Sequence, residues 1–207
     1  MERPASSARF VVLDGLDGCG KSTQAARLAA WFTARCGRPA LHLREPGSTA
    51  AGERIRALLL ERETALDVDS QVLLFAAARR QMLVELVAPA LGSGRDVVCE
   101  RFHSSTFAYQ GTAGGVDEER LLALLLAWAN VPAPDLTVIL TLEPQAAAER
   151  RGASDRFESR PPEFHRAVAE GYRRYAARVP GVVFVPAAGS IEDVEARVRA
   201  EVERGGR

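Results

Sequence analysis

One short run of this chain has the residue types and the spacing of a phosphate-binding loop. Residues 15–22 read Gly-Leu-Asp-Gly-Cys-Gly-Lys-Ser, which matches the pattern G-x-x-x-x-G-K-S. In that pattern backbone N–H groups surround phosphate oxygens, the lysine reaches the β- and γ-phosphates, and the serine hydroxyl binds Mg²⁺. Lys21 is the only lysine in the chain, against 26 arginines. A compact ammonium fits between two phosphates where a planar guanidinium is too bulky, so this chemistry accounts for a lysine here.

The residues on either side of the loop support this interpretation. An apolar run at 10–13 predicts a short strand before the loop, and residues 21–35 have a helical pattern after it. A strand, a glycine turn and a helix N-terminus together form a binding site for an anion. The sequence therefore predicts an ATP-binding loop made of Gly15, Leu16, Asp17, Gly18, Cys19, Gly20, Lys21, Ser22 and Thr23. GTPases, motors, transporters and small-molecule kinases share this motif, so the loop alone does not choose among them.

Short β-type runs alternate with helical patterns along the whole chain. Strands are predicted at 10–13, 40–43, 97–99, 136–142 and 182–185, and helices at 21–35, 50–62, 70–91, 117–129, 145–150, 162–178 and 190–204. This alternation predicts an α/β fold, a five-stranded parallel sheet with helices on both faces. Ligands of such sheets bind at the carboxyl ends of the strands. The segments 14–22, 44–46 and 100–101 carry polar residues at those ends.

Composition argues against several other classes of protein. The formal net charge is zero, whereas a general nucleic-acid binder needs a basic surplus. Cys19, Cys36 and Cys99 are odd in number and far apart, which favours neither a disulfide framework nor a zinc site. The N-terminus leads into no apolar leader, and no stretch approaches the length of a membrane span. We therefore expect a cytoplasmic protein without nucleic-acid or membrane partners.

The metal of an ATP site needs a second protein ligand, which should come from a strand end. Residues 97–100 end in Glu100, and Arg101 follows directly. We predict Ser22 and Glu100 as the metal ligands, with Mg²⁺ as the cofactor. A solvated strand end is the alternative for this charged pair.

Three further segments are ambiguous by themselves. Phe75 and Arg79 lie four residues apart in a predicted helix, so ring and guanidinium share one face and could hold a base. A core phenylalanine beside a surface arginine is the alternative. Segment 104–111 could simply be a helix N-terminus with serine and threonine caps. Segment 150–160, which is rich in arginine, is either a solvated turn or a lid that folds over transferring phosphates.

Taken together, these segments resemble the thymidylate kinase family. The resemblance runs from residue 10 to about residue 198 and rests on five blocks in order. These are 13–24, 44–49 with 52–56, 74–79, 100–102 with 105–111, and 134–137 with 155–158. The second and fourth blocks are distinctive for this family among kinases with a phosphate-binding loop. The resemblance implies a single kinase domain over 1–207, of the three-layer nucleoside-monophosphate-kinase type, with a short lid at about 150–160.

The resemblance also implies roles at the acceptor nucleotide. Asp17 matches the carboxylate that bonds the sugar 3′-hydroxyl, and Arg101 the arginine that holds the acceptor phosphate. Tyr109 resembles the ring beneath the deoxyribose that leaves no room for a 2′-hydroxyl. Phe75 matches the aromatic that stacks on thymine, and Arg79 the arginine that reaches its exocyclic oxygen. The remaining substrate contacts implied are Arg44, Thr106 and Gln110.

The resemblance implies a catalytic set of Lys21, Arg101, Arg150, Arg156 and Glu100. Position 18 is glycine, so the arginine that one branch of the family carries in this loop is absent. Arg150, Arg151, Arg156 and Arg160 resemble the lid arginines of the other, largely bacterial, branch.

Three positions depart from the family pattern. Asp14 stands where the family usually has Glu, and Glu100 stands where it usually has Asp. Thr141 occupies a position that is usually Asp. These changes bear on the metal and lid details near Glu100 and Thr141.

The sequence thus predicts phosphoryl transfer from ATP to dTMP, giving dTDP and ADP. Another nucleoside or nucleotide kinase is the nearest alternative, for example one that acts on a deoxynucleoside with Glu100 as a base, but Arg101 beside Glu100 favours a phosphorylated acceptor. A P-loop switch or regulatory ATPase is the alternative from another class. It would be expected to have the guanine motif N/T-K-x-D or a segment that positions a hydrolytic water, and the sequence has neither. Family members form dimers through helices, so a homodimer is expected. The apolar run 121–128 is compatible with an interface or with the core.

Overall fold

The computed structural model of the protein describes residues 8–61, 63–128, 131–143, 146–147, 157 and 160–205. Its strands are β1 (Phe10–Gly15), β2 (Leu41–Arg44), β3 (Val97–Glu100), β4 (Leu136–Thr141) and β5 (Val182–Pro186). They form one parallel sheet in the order β2-β3-β1-β4-β5. The predicted five-stranded parallel sheet is confirmed, and the three strands that end in polar residues are neighbours.

Helices connect the strands. Within the described residues they are α1 (Lys21–Cys36), α2 (Ala50–Leu60), α3 (Val68–Met82), α4 (Ala88–Gly92), α5 (His103–Thr106), α6 (Glu118–Trp128), α7 (Pro162–Ala176) and α8 (Ile191–Arg204). Two turns of π-helix, Leu83–Val87 and Phe107–Thr112, follow α3 and α5 without a break.

The centre of the sheet is buried on both faces, since successive side chains of β1 pack into two different clusters of apolar residues. Val11 and Leu13 belong to a cluster that includes Leu28 of α1 and Val198 of α8. Their neighbours Phe10 and Val12 pack on the opposite face against residues of α3, its π turn and α4. Helices on both faces of one sheet form the three layers that the alternating pattern predicted.

The helix predicted over 70–91 differs from the structure in its start and its interior. It begins at Val68, because the side chain of Asp67 caps it by accepting a hydrogen bond from Ser70 N at 3.0 Å. The π turn then adds one residue to the helical period, and Met82, Leu83 and Val87 are all fully buried against the sheet. Apolar periodicity alone could not distinguish this turn from a regular helix.

The segment 103–112 corrects a second interpretation. It is helical from His103, but no side chain caps its start. The hydroxyls of Ser104 and Ser105 bond the carboxylate of Asp14 instead, at 2.6 and 2.7 Å. The capping interpretation was therefore wrong, because a carboxylate of the neighbouring strand competes for these hydroxyls.

The remaining predicted elements differ from the structure by a few residues at their ends. β2 starts and ends one residue later than predicted, so that Arg44 ends it. The helix predicted over 145–150 lies outside the described residues except at 146–147. The apolar run 121–128 divides between core and surface: Leu121 and Leu125 are buried, whereas Leu126 and Trp128 are exposed. Among the described helices, none combines the length and apolar character needed to cross a membrane.

Candidate active site

A cleft of about 540 Å³ lies at the carboxyl ends of β1, β2 and β3. It is lined by most of the residues that the sequence singled out. These are Asp17, Gly18, Gly20, Lys21, Ser22, Thr23, Arg44, Phe75, Arg79, Glu100, Arg101, Thr106, Tyr109 and Gln110. It is also lined by residues that were not predicted, among them Glu45, Arg56, Ser105 and Phe157.

The phosphate-binding loop leaves β1 at a glycine that no other residue can replace without strain. Gly15 has φ of 135°, and a Cβ atom there would lie 2.4 Å from the carbonyl oxygen of Leu140 on β4. The loop ends at Lys21, the first residue of α1, whose side chain is buried. Lys21 Nζ donates to the carbonyl oxygens of Gly15 at 3.1 Å and Leu16 at 2.8 Å. The ammonium is therefore held close to the loop backbone.

Asp17, in the loop after β1, is paired by charge with Arg101, which directly follows β3. Its carboxylate is ion-paired with the guanidinium of Arg101 and lies 3.5 Å from Lys21 Nζ. It also accepts a hydrogen bond from the hydroxyl of Tyr109 at 3.0 Å. Burial would raise the pKa of Asp17, but the positive charges of Arg101 and Lys21 outweigh burial and hold it well below its ordinary value. Asp17 is therefore a fixed anion between two cations.

Asp14 is fully buried and binds three hydroxyls. Its carboxylate accepts hydrogen bonds from Ser104 at 2.6 Å, Ser105 at 2.7 Å and Tyr172 at 2.9 Å. Ser105 in turn accepts a hydrogen bond from Arg101 Nη1 at 2.8 Å. The aspartate that departs from the family pattern thus anchors α5 and, through Ser105, the guanidinium of Arg101.

Glu100 and Ser22 lie in direct contact at the end of β3. The hydroxyl of Ser22 donates to Oε2 of Glu100, and Nε2 of His42 lies 2.8 Å from its Oε1. Burial would raise the pKa of Glu100, but the hydrogen bonds from His42 and Ser22 prevail and lower it. Glu100 is therefore a carboxylate at neutral pH.

These two residues fit the donor set that Mg²⁺ prefers. They offer one carboxylate and one hydroxyl oxygen beside Lys21, and Mg²⁺ in nucleotide sites takes few protein oxygens and completes its shell with phosphates and water. In the part of the chain that the structure describes, no cluster of three or more His, Cys, Asp or Glu residues could form an all-protein metal cage. The arrangement favours a metal that arrives with a nucleotide.

The opposite wall of the cleft carries a buried ion pair. Arg79 of α3 is almost fully buried, and its Nε donates to Glu45 Oε2 at 2.9 Å. Its Nη2 donates to Thr106 Oγ1 at 2.8 Å. Nη1 of Arg79 is buried and has no hydrogen-bond partner among the described residues. A buried guanidinium N–H without an acceptor costs free energy. Nη1 is therefore a donor of this wall that has no acceptor among the described residues.

Phe75 lies one turn before Arg79 and also lines the cleft. Its ring is partly exposed, and its centroid lies 6.3 Å from that of Phe157, which in turn lies 6.2 Å from the ring of Tyr109. The alternative of a core phenylalanine beside a surface arginine was wrong in both halves. The arginine is the buried member, because Glu45 supplies its counter-charge from another element.

Both the sequence and the fold of the chain are similar to those of known proteins. The model of the thymidylate kinase family, described as "Thymidylate kinase", matches residues 13–198. The chain is 39% identical over 208 residues to a thymidylate kinase of Chromobacterium violaceum, covering 99% of this chain and 98% of that protein.

The chain belongs to the thymidylate kinase family.

A thymidylate kinase of Gloeobacter violaceus is 40% identical to it over 200 residues, which is 94% of each chain. A solved structure of thymidylate kinase from Ehrlichia chaffeensis superposes with a TM-score of 0.79 at 28% identity, covering 95% of this chain and 99% of that one. The predicted family, the predicted kinase fold and the predicted activity, phosphorylation of dTMP by ATP, are confirmed.

Several residues singled out in the sequence of this thymidylate kinase family member lie at the surface or outside the described part of the chain. Arg150, Arg151 and Arg156 lie outside the described residues. Arg160 is exposed, and its guanidinium lies 4.6 Å from the ring centroid of Phe164. Thr141 is exposed as well, and its hydroxyl donates to the carbonyl oxygen of Val185 at 3.4 Å.

Arg44 reaches the rim of the cleft and forms an ion pair with Glu53 of α2 at 3.1 Å. Sequence reasoning did not select Glu45, Arg56, Ser105 or His42 as site residues. Glu45 adjoins Arg44, Ser105 adjoins Thr106, and Arg56 ends the second distinctive block. The sequence shows that these residues lie near the predicted site residues, but only the fold shows which of them line the cleft.

The buried Glu45–Arg79 pair predicts a pH dependence of stability. Burial raises the pKa of Glu45 to about 7, although Arg79 beside it acts in the opposite direction. The folded protein then binds this proton more tightly than the unfolded chain, so the stability that Glu45 contributes is lost as pH rises through about 7. We expect the free energy of unfolding of the wild type, relative to Glu45→Gln, to fall by about 1–3 kcal/mol between pH 5 and 8.

Urea unfolding at half-unit pH steps measures this difference. Glu53→Gln is the matched control, because Glu53 is exposed and its lowered pKa confines its titration to more acidic solution. The prediction would be contradicted if the difference in free energy of unfolding between the wild type and Glu45→Gln stayed constant from pH 5 to 8.

Proposed function

We propose that the cleft transfers the γ-phosphoryl group of ATP to the phosphate of dTMP through the residues described above. The main support for this proposal is that Lys21 of the phosphate-binding loop and Arg101 at the end of β3 both contact the carboxylate of Asp17. A donor phosphate at Lys21 and an acceptor phosphate at Arg101 would then be close neighbours. This proximity is what a direct transfer between two nucleotides requires.

The proposed step is an in-line displacement at the γ-phosphorus. A phosphate oxygen of dTMP forms the new O–P bond while the bond to the β–γ bridging oxygen breaks, and ADP leaves with that electron pair. The acceptor oxygen is already anionic, so no general base is needed. Lys21 and Arg101 contribute by holding both phosphates and offsetting their repulsion.

Ser22 and Glu100 are the residues proposed to hold Mg²⁺ with ATP. When bound, Mg²⁺ neutralises charge on the β- and γ-phosphates. The described part of the chain contributes a fixed hydroxyl and a fixed carboxylate for it. Arg150 and Arg156 remain predictions as lid residues that would complete the positive surroundings of the transferred group.

The acceptor base is proposed to lie between Phe75 and the wall that holds Arg79, Thr106 and Gln110. Phe75 presents a partly exposed ring for stacking, and Arg79 Nη1 is an unused donor for a carbonyl oxygen. Gln110 Nε2 is held by Gln71 Oε1 at 3.4 Å, which fixes its amide at this wall. These groups suit a pyrimidine with exocyclic oxygens.

Tyr109 is proposed to select deoxyribose over ribose. Its ring packs under Arg101, whose guanidinium carbon lies 5.3 Å from the ring centroid, and its hydroxyl is tied to Asp17. Replacing Tyr109 with alanine should raise kcat/KM for ribothymidine 5′-monophosphate relative to dTMP by about tenfold or more, because space opens for the 2′-hydroxyl.

Tyr109→Phe is the matched control for this test. It keeps the ring and removes only the hydroxyl bonded to Asp17, so it should retain discrimination against the ribonucleotide. Steady-state kinetics with both acceptors measure the ratio. An unchanged ratio in Tyr109→Ala would remove the assignment.

The proposed function is tested by an assay coupled to ADP release, with Mg·ATP and each of dTMP, dUMP, UMP, CMP, AMP, GMP and thymidine. We expect a strong preference for dTMP. Activity on thymidine or on a different monophosphate would overturn the acceptor assignments. ADP release without any acceptor would instead indicate a P-loop switch protein or regulatory ATPase, which hydrolyses its nucleotide.

We further propose that the chain is one domain, resides in the cytoplasm and forms a homodimer. The support for a dimer is a set of exposed apolar side chains on helices that contact each other: Leu73 and Val84 along α3 with its π turn, and Leu126 and Trp128 on α6. Sedimentation should give twice the mass of one chain. The variant Leu73→Lys with Val84→Lys should sediment as a monomer, and a monomeric wild type would refute the proposal.

A further inference from the structure

His42 contacts the proposed metal site although the reaction above assigns it no role. It lies in the middle of β2, and its Nε2 is 2.8 Å from Oε1 of Glu100 on β3. The other oxygen of Glu100, Oε2, accepts the hydroxyl hydrogen of Ser22. Each oxygen of this carboxylate therefore has its own partner.

The register of the sheet explains how His42 reaches Glu100. His42 pairs with Val98 and Arg44 pairs with Glu100, so His42 and Glu100 are diagonal neighbours. Paired residues of parallel strands point to the same face, and diagonal neighbours are within reach of long side chains. Glutamate is one methylene longer than aspartate, and its extra length extends toward the imidazole.

The direction of this hydrogen bond follows from the charge of Glu100. An ionised carboxylate can only accept, so Nε2 must carry the hydrogen that lies between them. His42 is about one-third exposed, whereas the Glu100 side chain is 15% exposed. An exposed ion pair would add little to stability. Here, however, the contact fixes one oxygen of a largely buried carboxylate, and the other oxygen of that carboxylate bonds Ser22.

We propose that His42 is a positioning residue, which holds Glu100 so that Oε2 and the Ser22 hydroxyl face the Mg²⁺ that accompanies ATP. This inference rests on the proposed function of Glu100. Glutamate has one more rotatable bond than aspartate, and the hydrogen bond from His42 restricts that freedom. Partners of metal ligands act in this way, and their loss typically costs about 10–100-fold in metal affinity.

The test measures nucleotide binding without catalysis. Calorimetry gives the affinity for the ATP analogue with an imido group between the β- and γ-phosphorus, with Mg²⁺ and with the metal removed by chelation. The ratio of the two affinities is the coupling between metal and nucleotide. His42→Leu, which keeps a branched side chain of similar size on the strand but has no donor, should lower this ratio about tenfold and leave the Mg²⁺-free affinity unchanged.

His42→Gln is the matched variant, because its amide can donate to Oε1 and should restore most of the ratio. A second measurement uses Glu100→Asp as background. The shorter carboxylate no longer reaches position 42, so adding His42→Leu to it should change nothing further.

The outcomes separate this inference from the proposed function. If Glu100→Gln lowers the ratio but His42→Leu does not, the positioning role is overturned and the metal role of Glu100 stands. If Glu100→Gln leaves the ratio unchanged, the metal role fails and the inference fails with it. Equal losses in both affinities for His42→Leu, or no recovery in His42→Gln, would also overturn the positioning role.

Discussion

Lys21→Arg should lower kcat by about 10³-fold or more, although the charge is retained. The side chain of Lys21 is only 8% exposed, and its Nζ donates to the carbonyl oxygens of Gly15 and Leu16 at 3.1 and 2.8 Å. The thiol of Cys19 lies 4.0 Å from the same nitrogen. A planar guanidinium on a stem of different length cannot occupy this space without moving the loop backbone that should hold the phosphates.

The measurement is steady-state kcat with saturating ATP and dTMP, together with the melting temperature. Lys21→Met should lose as much activity, since it keeps the length but has no charge. Arg27→Lys is the matched control, because Arg27 lies on the same helix and pairs with Glu192 and Glu195 outside the cleft. Activity of Lys21→Arg within tenfold of the wild type would refute the steric argument.

Arg101→Ala should lower kcat/KM for dTMP by about 10²–10³-fold. Arg101 is ion-paired with Asp17 and donates to Ser105 Oγ at 2.8 Å, so its guanidinium is fixed toward the proposed acceptor phosphate. Its backbone has φ of 66°, an unusual value for a residue other than glycine. The residue is therefore held in a strained position by its surroundings, as is common at functional sites.

Arg101→Lys should recover only part of this loss, since an ammonium cannot bond Asp17, Ser105 and a phosphate in the geometry of a fork. In Arg101→Ala the affinity for the imido analogue of ATP should fall less than kcat/KM for dTMP, because Lys21 and the loop remain, although Asp17 then loses its pairing with Arg101 and keeps that with Lys21. Arg95→Ala is the matched control: Arg95 precedes the same strand at its other end and donates to Pro39 O at 3.0 Å. Arg101→Lys with wild-type kcat/KM would contradict the assignment.

Local patterns in the sequence determined the type of fold and the donor half of the site. The apolar run of β1 is a strand that is buried on both faces, and residues 15–22 form the loop because its glycines and lysine lie within one short segment. These features depend on neighbours along the chain, so they can be predicted without the tertiary structure. The one-residue shift of β2 and the π turns could not, because packing against the sheet selects them.

Pairs of residues far apart in sequence decided the rest of the site. The partners of Arg79 include Glu45, those of Asp14 include Tyr172, and those of Glu100 include His42. Each pair joins segments that are far apart in sequence, so no periodicity or spacing within one segment encodes it. The residue types of the site were visible in the sequence. The tertiary structure alone decides which of them are buried, paired and ionised, since the sheet brings the ends of β1, β2 and β3 together. Burial and charge pairing depend on distances in space and not on distances along the chain.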